Sequence, residues 1–103
     1  MSGRGTERPD LPPADPACED VRFNCTLADV DAGLAVGVTE GQTLPVGLLD
    51  ERFPIVKVDD QKLGSITSGQ LRVLARCLRE GEPFVADVLK AEGGWIDVLV
   101  RHA

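Results

Sequence analysis

Between Val21 and Arg101 apolar residues recur at every second position, in short runs cut by turn-forming residues. Val21, Phe23, Cys25 and Leu27 point one way while Arg22, Asn24 and Thr26 point the other. That is the pattern of a half-buried strand. The same period returns at Leu34, Val36 and Val38 after Asp31-Ala32-Gly33, and at Leu44, Val46 and Leu48 after Glu40-Gly41-Gln42. Pro45 has no amide hydrogen to give a ladder, so that run is expected at an edge or a bulge. Asp50-Glu51-Arg52-Phe53-Pro54 reads as a connecting loop. Residues 55–58 and 62–66 flank Asp59-Asp60-Gln61 as a hairpin, and the two aspartates read as solvated turn formers. Residues 84–90 and 95–101 flank a second turn, Ala91-Glu92-Gly93-Gly94, with Ile96, Val98 and Val100 on the buried face of the last run.

One stretch breaks the period of two. Thr67 as N-cap with Gln70 at the third helical position makes a capping box, and Ile66 and Leu71 are spaced as a hydrophobic staple. Gly81 is placed to end the helix in a left-handed conformation, with Pro83 soon after. Leu71, Leu74, Ala75 and Leu78 share one helical face, widened by Val73 and Cys77, while Arg72, Arg76 and Arg79 share the other. Strands this closely spaced favour a curled sheet over crossover units. The expected fold is α+β: a small, mostly antiparallel curled sheet or half-open barrel of five to six strands, with one helix before the final hairpin. Residues 1–19 hold four of the seven prolines and read as a disordered Pro-rich leader, leaving residues 20–103 as a single domain.

Charge narrows the partners. The chain carries 11 Lys and Arg against 17 Asp and Glu, a net charge of −6, which repels phosphate in bulk. No apolar run approaches the ~18 residues that span a bilayer, and the N-terminus as given lacks the apolar core of a signal peptide. A cytoplasmic location without membrane contact is the expectation. There, Cys18, Cys25 and Cys77 are expected as reduced thiols, Cys18 in the leader and the other two as small buried hydrophobes. Three cysteines without a C-x-x-C pair, and one histidine, do not make a zinc ligand set, so no metal is expected. No cofactor or catalytic motif occurs. Ser65 and Ser68 have no nearby histidine, and His102 is penultimate, so no catalytic residue is assigned and the chain is not expected to be an enzyme.

Two features stand out as contact surfaces. The helical segment from Ser68 to Glu80 carries a net +2, against −6 for the rest of the domain and −2 for the leader. Its Arg72, Arg76 and Arg79 are either a solvated face suited to a helix C-terminus or a docking face for an acidic partner or a phosphate. Trp95 and Leu99 lie opposite the Ile96, Val98 and Val100 set and are either core-capping groups or an interface, including that of a homodimer. The leading expectation is a non-catalytic interaction module that binds a protein partner through one of these faces, as an accessory subunit or inhibitor.

The run Thr43-Leu44-Pro45-Val46-Gly47-Leu48 follows a glycine-containing turn, and Ile55-Val56-Lys57-Val58 leads into Lys62-Leu63-Gly64-Ser65-Ile66. A helix ended by Gly81 and a strand from Phe84 to Val88 come next. Over about residues 41–100 this order resembles a HIRAN domain, a small β-barrel module found fused to helicase-like or nuclease proteins and also alone in bacteria. The resemblance implies a barrel, and binding of single-stranded or terminal DNA as the alternative function. Two departures limit it. The family's polar and aromatic loop is shortened here to Leu49-Asp50-Glu51-Arg52-Phe53-Pro54, and Ser65 replaces the aromatic residue after the glycine. No DNA-contacting residue carries over.

Overall fold

A computed structural model describes residues 16–103. The expected leader lies outside the described residues as far as residue 15. A single 3-10 turn at Cys18–Asp20 leads into β1, Arg22–Thr26. A one-turn helix α1, Ala32–Ala35, follows. Then come β2, Thr43–Leu49, β3, Phe53–Val58, and β4, Gln61–Ser65. Helix α2, Leu71–Arg79, precedes the closing hairpin of β5, Phe84–Glu92, and β6, Trp95–His102.

The six strands form one antiparallel sheet in the order β1-β6-β5-β2-β3-β4. It curls until its edges meet. Ala28, just past β1, exchanges two backbone hydrogen bonds of 2.9 and 2.8 Å with Ser65 of β4, and the Asp31 amide donates to the Leu63 carbonyl at 2.8 Å. The curl needs a corner, and β2 supplies it: Thr43–Pro45 pair with β5, whereas Val46–Leu49 pair with β3. Pro45 sits where the partner changes, on an interior strand and not at the edge or bulge expected of it. Inside the half-barrel, Phe23, Leu44, Val56, Leu63 and the Val98/Val100 pair form one cluster. Leu74 and Cys77 of α2 join it, both fully buried, so the helix covers part of the core with its apolar face.

The sheet dominates the domain and two short helices accompany it, so the α+β description fits only loosely. Four local expectations change. The run around Leu34, Val36 and Val38 is not a strand: Asp31 Oδ1 accepts the Leu34 amide at 3.0 Å and starts α1. Leu34 and Val38 are four apart, a spacing that serves a helical turn as well as a strand, and Val36 between them is exposed. The Thr67–Gln70 capping box does not form. Thr67 donates its hydroxyl to the Thr26 carbonyl at 3.2 Å, Ser68 Oγ accepts the Gln70 amide at 3.0 Å, and the helix begins at Leu71. The loop at 50–54 shrinks to a three-residue turn, residues 50–52, with Asp50 and Glu51 at φ 55° and 58°, and β3 already starts at Phe53. Finally, Cys18 and Cys77 are not thiols but a disulfide with Cα atoms 5.8 Å apart, tying the start of the described chain to α2. Cys25 stays a half-buried thiol, and burial pushes its pKa up.

Gly81 does end α2 in the left-handed region, at φ +88°. Among the described residues no helix is long and apolar enough to cross a membrane.

Candidate functional site

Helix α2 buries Leu74, Ala75 and Cys77 and therefore turns Arg72, Arg76 and Arg79 outward on one side. What they face is set by the chain just before the helix. The Ile66 amide donates to the Pro54 carbonyl at 3.1 Å, which lays the approach to α2 against the start of β3. The result is an open groove of about 720 Å³, walled by the three arginines on one side and by Arg52, Phe53 and Pro54 on the other. Leu71, Val73 and Ala75 contribute the apolar part of the helix wall.

Four arginines, three from α2 and one from the turn before β3, thus line one groove. Arg76 pairs with Glu80 one turn on, at 3.6 Å, and both side chains are about half exposed. Such an i,i+4 pair contributes a few tenths of a kcal/mol, about 0.3–0.5. The Arg52 guanidinium lies 5.6 Å from the centre of the Phe53 ring. Phe53 keeps 52% of its surface in water and so offers apolar area to the groove. Arg52 and Phe53 were hidden in what reads from sequence as a connecting loop. An isolated basic–aromatic pair between two acids and a proline has no periodicity, and only its neighbour across space gives it meaning.

Trp95 and Leu99 lie elsewhere, on the outer face of β6, with β5 and β2 between that strand and β3. Trp95 is 56% exposed and does not cap the core, and Leu99 is half-buried between Asn24 and Asp87. Asp97 separates them. It accepts a hydrogen bond from the Thr26 hydroxyl, which lowers its pKa, with a further hydrogen bond from Trp95. Next to Leu99, Asp87 takes the Arg101 Nε–H at 2.6 Å and the Thr43 hydroxyl at 2.8 Å, and these hold its carboxyl below the usual range. Polar ladders therefore cross this face, tying β1, β2, β5 and β6 together. The exposed apolar groups stand singly among them.

Among the described residues no group of three or more His, Cys, Asp or Glu side chains is placed to hold a metal ion. Comparison of the chain with protein-family models, with curated proteins and with solved structures gives no match.

Proposed function

We propose that this chain is a non-catalytic interaction module that binds an acidic partner protein through the groove between α2 and the start of β3. The observation that carries this reading is the convergence of Arg52 with Arg72, Arg76 and Arg79 on a protein whose net charge is −6. Scattered solvated arginines would not need a shared concave surface with an exposed phenylalanine in it. The forked guanidinium group binds carboxylates through two parallel hydrogen bonds, so four of them select strongly for an anionic surface. An accessory subunit or an inhibitor is the role that fits such a face.

The test is charge reversal. The Arg72→Glu/Arg79→Glu double variant changes two exposed side chains and should keep the wild-type circular dichroism spectrum. A partner recovered from the native host with the wild-type chain should be lost with this variant. An unchanged set of recovered proteins sinks the reading.

A second reading, binding of single-stranded or terminal DNA, draws on the HIRAN resemblance and on Phe53, an exposed ring beside arginines on which a base can stack. Labelled oligonucleotides at low salt decide it: binding through the groove falls steeply with salt and vanishes in the double variant.

A further inference from the structure

The groove combines positive charge with apolar surface, and the acidic residues closest to it along the chain lie outside its lining. The turn that delivers Arg52 is built from Asp50 and Glu51, both exposed. After Arg79, the last of the helix arginines, Glu80 pairs back to Arg76 and Glu82 lies against His102. None of these carboxylates lines the groove, whose charged residues are all arginines. The volume of about 720 Å³ falls in the range of roughly 300–1,000 Å³ that takes a compact ligand.

The floor carries a second demand. Phe53, Pro54, Leu71 and Val73 present apolar surface between the guanidinium groups. A purely charged ligand would leave that surface wet, whereas one apolar side chain would cover it. The Phe53 ring, 5.6 Å from the Arg52 guanidinium and half exposed, can take an aliphatic or aromatic side chain against its open surface.

We infer that the groove takes a short acidic peptide segment with a single apolar anchor residue, in preference to a phosphate backbone. The inference rests on the proposed protein-binding function and specifies what part of the partner enters the site. The anchor covers Phe53, Leu71 and Val73, and flanking carboxylates on either side pair with Arg52, Arg72 and Arg79.

Fluorescence anisotropy on the full, oxidised chain tests it with short synthetic peptides. The probes are glutamate-rich peptides with one central leucine, phenylalanine or tryptophan, the same peptides with glutamine for glutamate, and the same with glycine at the centre. A single-stranded oligonucleotide of similar length is the rival ligand. At least one acidic, anchored peptide should bind. Exchange of its glutamates for glutamine should weaken it by about tenfold or more, the loss of one or more charge-assisted contacts. Exchange of the anchor for glycine should weaken it by roughly five- to tenfold, as should Phe53→Ala in the protein. Absence of binding by every acidic peptide, equal binding of the glycine-centred ones, or tighter binding of the oligonucleotide overturns the inference. If the peptides fail while a host partner still depends on Arg72 and Arg79, the inference falls and the protein-binding reading stands. If neither ligand depends on those arginines, both fall.

Discussion

Gly64 shows how one residue closes the sheet. A Cβ added there would lie 3.1 Å from Leu27 Cβ and 3.2 Å from the Ala28 carbonyl oxygen, because the chain leaving β1 crosses β4 at this point. Gly64→Ala should cost about 1–3 kcal/mol by overpacking the junction. Gly69→Ala, with nothing within 4 Å of its added methyl, should change stability little. Urea midpoints of the two variants make the comparison, and equal midpoints would contradict the crossing. His102 supplies a pH-dependent term. Its Nε2 lies 2.8 Å from Glu82, and this hydrogen bond raises its pKa above the ordinary 6.5. A raised folded pKa stabilises fully below the unfolded value, and the gain is lost as pH rises through the folded one. Stability should therefore decline in the wild-type chain as pH rises from the ordinary imidazole value through the raised folded one, and His102→Gln should flatten that slope. Urea midpoints across the range test it, and an unchanged slope in the variant rules the pair out as its source.

Helix α2 depends on more than its own propensity. At nine residues it is too short to persist alone, since isolated helices below about 12–15 residues are marginal in water. Its buried face and the Cys18–Cys77 disulfide hold it in place. That bond closes a sequence separation of 59 residues, for which chain entropy alone predicts about 4 kcal/mol. Cys18→Ser should lose roughly 2–4 kcal/mol in oxidising buffer and match the wild type once both are reduced. A variant as stable as the oxidised wild type would show that the bond contributes nothing. Because α2 supplies three of the four groove arginines, the same substitution should loosen the groove. The helix itself was legible from its apolar spacing and from Gly81. Its start was not, because the Thr67 hydroxyl is engaged across space by Thr26 rather than by its own backbone.

The whole molecule is a sheet held shut by a narrow seam. β6 pairs along both edges, with β1 and β5, whereas the first and last strands in sheet order meet only around Ala28, Asp31, Leu63 and Ser65. Local opening requires least where the fewest paired groups must separate. In native-state hydrogen exchange the amides of Ala28, Asp31 and Ser65 should exchange well before those of Val98 and Val100. Seam amides that exchange only with global unfolding would show that the half-barrel closes as one cooperative unit.

The sequence by itself determined the alternating strands, both tight hairpins, the apolar face of α2 and the arginine stripe opposite it. These are properties of neighbours along the chain, written by the two-residue period of a strand and the 3.6-residue period of a helix. It did not separate strand from helical turn at Leu34 and Val38, where a spacing of four satisfies both periods and the Asp31 cap decides. Only the tertiary structure brought Arg52 and Phe53 beside α2, joined Cys18 to Cys77, and set Gly64 against Leu27. Each of those pairings spans a long loop of chain, and no local period records which distant residue the folded sheet will bring alongside.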